Sequence, residues 1–345
     1  MQLSMHQSKC PKHRVPVHQI SNDLTRRSLI AAGIGTLALG ASACAPADDR
    51  NSGGSRARTI EHAFGTTKVP NDPQRVVALG YTDVEVLLSM GVVPIGFTDF
   101  FGTGLNEWAR PLVGEKSPES WELTGGVPLE KIIELEPDLV IASDALDRPN
   151  YDRLNAAVPT VGPFKKNAAF GTPWRDHTRR TAKAVDRVAR GEIVITDLEE
   201  RYAEVKAKHF EFLDKTVTYS WPIEPDYYVY GASDPRVQVF LELGFALTES
   251  VQRLDRKESK ASEAGIALSA ERLDLLDADL IVAQNYGTER QKAERRSLLD
   301  TIPAVKAGNL LWLPERVSDG LAFGTSLSTS AILDDLVKAI SKTLK

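Results

Sequence analysis

The chain has 345 residues, 42% hydrophobic and 26% charged, with a formal net charge of −5. That balance supports a packed core and excludes collagen-like, coiled-coil and disordered classes. Residues 1–43 carry a balance of +4, which leaves −9 on 44–345, a body poorly suited to a phosphate backbone, so nucleic acid is set aside as a partner.

The basic leader reads as an export signal. Arg26 and Arg27 precede an apolar run, 29–41, that is short for a bilayer span and ends in small residues. The Arg pair has the twin-arginine pattern, with Leu29 where Phe is favoured. Ala41-Ser42-Ala43-Cys44 resembles a lipobox, with Ala41 in place of the usual Leu, so Cys44 is the expected lipidation site; plain cleavage after Ala43 is the alternative. Cys10 falls in the removed segment, so no intrachain disulfide, Cys-based metal site or thiol nucleophile is expected. Residues 44–58 are small and polar and read as a flexible tether. Together these features place the mature protein on the outer face of the cytoplasmic membrane, held by a lipid.

Strand and helix signals then alternate. The run 75–79 is a buried strand candidate, and Thr82 with Glu85 forms a capping-box pattern before a helix that ends at Gly91. Residues 92–96 read as the next strand, 128–135 as a helix, 139–142 as a strand apolar throughout, 151–156 as a short helix and 159–161 as a strand. From 173 to 213 the spacing is helical, with Gly191 as a candidate break. Strands return at 216–221 and 227–230, a helix opens at Pro235, and a final helix spans 328–344. One segment echoes another: 130–142 aligns with 271–283 at a constant offset of 141, each a short helix, an Asp and a buried strand. The expected fold is α/β, two Rossmann-like lobes (59–172 and 214–345) joined by a single long helix within 173–213.

In order along the chain, the stretches 75–85, 87–96, 126–142, 172–174, 230–245 and 268–283 resemble the ABC-importer substrate-binding proteins that handle ferric siderophores, haem and cobalamin. The resemblance covers the mature chain and is nearest to the actinobacterial iron–siderophore type. It implies two α/β lobes on a rigid helical backbone, ligand held between them at the carboxyl ends of strands, and small closure. It further implies that one exposed Glu per lobe docks onto Arg residues of the two permease subunits. Glu130 and Glu271, equivalent in the echo, fit that role; the alternative is that each is a helix-start Glu favoured by the dipole.

The loops after the predicted strands supply the ligand candidates: Tyr81, Phe100, Phe101, Trp108, Ser143, Asp144 and Lys165 in the first half, Tyr230, Asn285, Tyr286, Arg316 and Phe323 in the second. Aromatic rings can pack on a bulky chelate while a cation contacts its iron-bound oxygens. Arg316 is the leading cation and Lys165 the next; Arg236 reads as part of an Asp-Pro-Arg helix start. His62, His177 and His209 are scattered without ligand spacing, so the iron is expected to arrive in its own chelator and no resident metal or cofactor is expected. No Gly-x-Ser-x-Gly elbow, phosphate loop or His-Glu-x-x-His occurs, which argues against an enzyme. The reading is a monomeric receptor that delivers a ferric siderophore of low net charge to an ABC permease dimer. Haem or cobalamin as ligand, and a signalling receptor, are the alternatives.

Overall fold

The computed structural model describes residues 58–100, 102–123, 126–144, 146–165, 172–223, 226–257, 265–286 and 288–344. The signal segment, most of the tether, Cys44 and Phe101 lie outside them. The described residues begin with an antiparallel hairpin, β1 (Arg58–His62) and β2 (Gly65–Val69). The first large sheet holds β3 (Val76–Ala78), β4 (Gly96–Thr98), β5 (Glu119–Trp121), β6 (Leu139–Ile141) and β7 (Thr160–Val161), all parallel, in the order β5-β4-β3-β6-β7.

Alternate residues of its central strands feed two cores, which is why those strands read as unbroken apolar runs. Val76, Ala78, Leu139 and Ile141 pack with Val84, Val86 and Leu87 of α1 (Asp83–Ser89). Val77 and Val140 pack on the other face with Leu129 and Ile132 of α2 (Leu129–Glu134) and Leu154 of α3 (Arg148–Asn155). The strand expected at 92–96 starts only at Gly96, past Pro94, which has no N–H to give a ladder. The expected capping box does not form either. Thr82 makes no cap hydrogen bond, and Glu85 turns elsewhere.

The predicted single helix is two helices: α4 (Trp174–Ala184) and the long α5 (Val188–Lys208). Asp186 takes a left-handed φ of 59°, a conformation no helix continues, and its carboxylate pairs with Arg58 of β1 at 2.6 Å. Gly191, the expected break, lies inside α5 against α4; a Cβ there would stand 2.5 Å from the Cβ of Ala182. The two helices therefore form a tight hairpin. Ala182, Ala184 and Val185 belong to a core of the first lobe, whereas Trp174, Ile195, Leu198 and Tyr202 belong to that of the second.

The second sheet is mixed. Strands β8 (Thr216–Ile223), β9 (Asp226–Val229), β10 (Ala246–Leu247), β11 (Ile266–Leu268), β12 (Leu280–Ala283) and β13 (Leu310–Trp312) run in the order β11-β9-β8-β12-β13, with β10 beside the start of β8. The pairs β8·β12 and β12·β13 are parallel; β9 is antiparallel to both β8 and β11. Around it lie α6 (Pro235–Glu242), α7 (Glu249–Lys257), α8 (Glu289–Leu299), α9 (Pro303–Lys306), α10 (Glu315–Phe323) and α11 (Ser326–Thr343).

The internal echo extends to hydrogen bonding. Asp138, before β6, accepts from Gln74 N and Arg75 N at the start of β3, and its counterpart Asp279, before β12, accepts from Thr216 N at the start of β8. Each Asp fixes the register of two neighbouring parallel strands. The preceding segments differ, since α2 is an α-helix whereas 270–276 is a 3₁₀ turn bent at Arg272. Among the described residues no helix is long and apolar enough to cross a membrane.

Candidate functional site

The site is built where strands of both sheets end. After β3 the chain turns through Gly80, where a Cβ would meet Asp83 Oδ2 at 2.3 Å and Ser143 N at 2.9 Å; no larger residue fits. The freed space lets Asp83 Oδ2 accept from Gly80 N at 2.8 Å and from Ser143 N at 3.0 Å, which ties the exits of β3 and β6 together. Burial pushes the Asp83 carboxyl up, but hydrogen bonds from His177 and Ser143 prevail and hold it below the usual range.

His177, on α4, completes this network. Its Nε2 lies 2.8 Å from Asp83 Oδ1 and 2.9 Å from Ser143 Oγ. A nucleophile relay needs Ser and Asp on opposite ring nitrogens. Here both share one, so the trio is a buried brace. Arg180, one turn further along α4, donates to Ser143 Oγ at 3.0 Å and to Gly162 O at 3.1 Å and lies 3.3 Å above the ring of Phe164. Burial lowers its pKa to about 10. Asp144 accepts from Tyr81 N at 2.9 Å, and burial, with the charge of Asp83, pushes its carboxyl up to about 6.

Aromatic side chains span the two lobes. Tyr81 stacks on Phe323, the last residue of α10, with centroids 4.9 Å apart and planes at 18°. Phe100 meets the other edge of Tyr81 at 4.5 Å. Beside them a small recess of about 20 Å³ is lined by Glu85, Thr98, Asp99, Phe100, Asn106 and Phe323, among others. Glu85 is 1% exposed and receives three neutral donors: Trp108 Nε1 at 2.7 Å, Asn106 Nδ2 at 3.2 Å, and Thr325 Oγ1 of the other lobe at 2.6 Å. Thr325 is also the N-cap of α11, so one buried carboxylate links the recess to the start of that helix. Burial raises its pKa.

The second lobe contributes Arg236. Its guanidinium is paired through two hydrogen bonds with Asp234, at 2.9 and 2.7 Å, and lies 3.9 Å over the ring of Tyr230, with Tyr219 and Trp221 within 6 Å. Burial opposes its charge, but Asp234 outweighs this and raises the pKa. Tyr286, after β12, donates its hydroxyl to Asp319 Oδ1 at 2.8 Å and lies 6.2 Å from Trp221. Burial, then the hydrogen bond to Asp319, raises the Tyr286 pKa; burial raises that of Asp319 as well.

Of the residues singled out from sequence, the structure brings together Tyr81, Phe100, Ser143, Asp144 and Phe323 at the first lobe's strand ends and across the seam. Tyr230 and Tyr286 lie at the second lobe's strand ends. Asn285 is half-buried beside Tyr286. Trp108 packs against cores of both lobes and is held by Glu85, so it is part of the seam. The two favoured cations are both already ion-paired. Arg316 is bound by Glu107 and Asp335 on the surface, and Lys165 is paired with Glu61 of β1 at 2.8 Å with half its side chain exposed. Arg236, set aside as a helix-start residue, and Arg180, not singled out, are buried cations at the strand ends.

Two signals could have found the missed groups: Asp83 and Glu85 interrupt an otherwise apolar helix, and Arg180 follows His177 at helical spacing. Glu130 and Glu271 are exposed, each just ahead of its buried strand. Arg153 reaches Glu130 at 3.2 Å, and a hydrogen bond from Ser269 holds the Glu271 carboxyl below the usual range.

The family model described as "Periplasmic binding protein" matches residues 76–317. The probable siderophore-binding lipoprotein YfiY of Bacillus subtilis is 29% identical over 265 residues, covering 74% of this chain and 79% of that protein. A periplasmic solute-binding protein structure from Mycobacterium smegmatis superposes with a TM-score of 0.71 at 26% identity, covering 83% of this chain and 98% of the other. The structure of PiaA from Streptococcus pneumoniae in complex with ferrichrome gives 0.71 at 23% identity with the same coverage and shares the fold. With two α/β lobes and a family match over residues 76–317, this chain belongs to the periplasmic binding protein family.

Proposed function

We propose that this protein captures a ferric siderophore between its lobes and hands it to an ABC importer. The observation that carries the reading is the meeting of aromatic rings from both lobes, Tyr81 and Phe100 with Phe323, over a recess flanked by buried polar groups. Once the lobes part, rings from both sides offer flat faces to a bulky, partly apolar chelate, and fixed polar groups orient it. The names of relatives agree, since YfiY is called siderophore-binding and the PiaA structure holds ferrichrome.

The charge pattern favours a chelate of low net charge. Around the strand ends and recess stand Asp83, Glu85, Asp144, Asp234 and Asp319 against Arg180 and Arg236. A triscatecholate brings about three negative charges and needs converging cations to bury them. A neutral ferric hydroxamate does not. Delivery runs through Glu130 and Glu271, one exposed carboxylate per lobe, each offered to a cation of one permease subunit, while a lipid on Cys44 keeps the protein beside the permease.

The test is fluorescence titration of the mature protein, following its Trp residues, with a ferric trihydroxamate, a ferric triscatecholate, haem and cobalamin at two salt concentrations. Saturable binding of the trihydroxamate, tighter than the other three, is expected. Tighter and strongly salt-sensitive binding of the triscatecholate overturns the ligand class, and binding of haem or cobalamin alone overturns the siderophore reading.

A further inference from the structure

Asp319 and Phe323 lie four residues apart on α10 and so share a face. Phe323 stacks on Tyr81 of the other lobe, which turns that face toward the seam. Asp319 is half-buried there, and the hydroxyl of Tyr286 occupies its Oδ1 at 2.8 Å. A phenol orients a carboxylate without cancelling its charge. Among the described residues no Lys, Arg or His stands within ion-pair distance of it. The contrast with Arg236 is direct, because the charge of that guanidinium is paired with both oxygens of Asp234.

The second lobe therefore offers an oriented anion of uncompensated charge beside the rings of Tyr286 and Phe323, with Trp221 next to Tyr286. Carboxylate plus aromatic surface is the chemistry that holds an organic cation. With Oδ1 engaged, Oδ2 remains for a ligand, which suits the single-point donation of an ammonium better than the two-point fork of a guanidinium. A bare metal ion is not the occupant, since no group of three or more His, Cys, Asp or Glu is placed to hold one among the described residues.

We propose that Asp319, oriented by Tyr286, is a subsite for a primary ammonium group on the organic periphery of the chelate. This rests on the siderophore reading above. The iron-bound oxygens and the ammonium are recognised separately, the first by the cleft as a whole and the second by one carboxylate. The preferred ligand is then a ferric trihydroxamate with a free amine, carrying a net positive charge, rather than its neutral or anionic relatives.

The experiment compares a linear ferric trihydroxamate ending in a primary amine with the same chelate N-acetylated at that amine. The wild-type protein is expected to bind the amine form about ten-fold tighter, the scale of one charge-assisted hydrogen bond. Asp319→Asn should weaken the amine form to the level of the acetylated one, with circular dichroism and thermal unfolding showing that the variant is folded. Tyr286→Phe keeps the charge but frees the carboxylate and should lose part of the preference. Equal wild-type affinities for the two chelates, or a preference that survives in Asp319→Asn, overturns the subsite while leaving the siderophore reading intact. Binding of neither chelate overturns the subsite together with the trihydroxamate ligand class.

Discussion

The rings of Tyr81 and Phe323 lie nearly parallel, 4.9 Å apart, although one follows the central strand of the first sheet and the other ends a helix of the second lobe. This stack is a direct aromatic contact between the lobes beside the recess. Tyr81→Ala and Phe323→Ala should each weaken binding of a ferric trihydroxamate about ten-fold, in line with the area a buried ring contributes. The double variant should lose less than the two singles combined, because each deletion already removes the shared contact. Isothermal titration across the four proteins checks this, and full additivity would show that the two rings act separately.

Arg236 and Arg316 should respond oppositely to substitution. Arg236→Met strands Asp234, 15% exposed at its side chain, and should lower unfolding free energy by about 3 kcal/mol as well as ligand affinity. Asp234→Asn combined with Arg236→Met should recover most of the stability but not the affinity. Arg316→Ala removes surface ion pairs and should change stability by less than about 1 kcal/mol and affinity by less than about two-fold. Denaturant titration with and without ligand separates the three outcomes.

The pH dependence of stability should carry the signature of Asp144. Burial, aided by the charge of Asp83, raises its folded pKa from 3.8 to about 6. A raised carboxyl stabilises the fold fully below its unfolded pKa, and that contribution is lost as pH rises through about 6. Wild type minus Asp144→Asn should therefore decline between pH 4 and 7 by about 2–3 kcal/mol. His62 titrates with the opposite sign, since burial and the charge of Arg180 lower it to about 4, and its contribution is lost as pH falls through that value. It is common to both proteins and cancels in the difference. A flat difference across this range would show that Asp144 is not buried as described.

Gly191 should not tolerate a methyl group. Alanine there gains about 1 kcal/mol of helix propensity but drives its Cβ to 2.5 Å from that of Ala182. Overpacking of this kind costs about 1–3 kcal/mol, so Gly191→Ala is expected to be net destabilising. Ala182→Gly in the same chain should relieve the clash, and thermal unfolding of the singles and the double reads the coupling. Independent effects would mean that the helices are not in contact here.

Transport should depend on Glu130 and Glu271 while ligand binding does not. Both carboxylates are exposed. The double substitution to Ala is expected to abolish uptake of labelled ferric chelate by cells that depend on this protein and to leave affinity within about two-fold, as expected for charges that set register more than strength. Normal uptake by the double variant removes the docking role. Arg153→Ala, which releases Glu130 from its 3.2 Å partner, should leave uptake unimpaired.

The sequence made the sheets legible because a parallel strand covered on both faces has to be apolar at every position, as Leu139-Val140-Ile141 and Leu280-Ile281-Val282 are. The echo between 130–142 and 271–283 was legible for the same reason, and the register-fixing Asp138 and Asp279 came with it. Charges were not. Arg236 and Arg316 each sit near the start of a helix with an acidic neighbour, and only the three-dimensional course of the chain turns one toward the strand ends and the other to the surface. The break at Asp186 was hidden because a left-handed residue needs no Gly when a partner such as Arg58 holds it. Glu85 resembled half of a capping box because its real partners, Asn106, Trp108 and Thr325, lie 21, 23 and 240 residues away.

The helical hairpin also bears on how an importer could tell a loaded receptor from an empty one. A backbone of two helices, pressed together at Gly191 and Ala182 and rooted in the cores of both lobes, should hold the outward carboxylates at nearly constant spacing. Occupancy should then be announced less by a change in their spacing than by how readily the Tyr81–Phe323 joint opens, with a filled cleft expected to quiet the seam. Amide hydrogen exchange at the start of α11 would register that difference, whereas a pair of dyes placed at 130 and 271 would scarcely move.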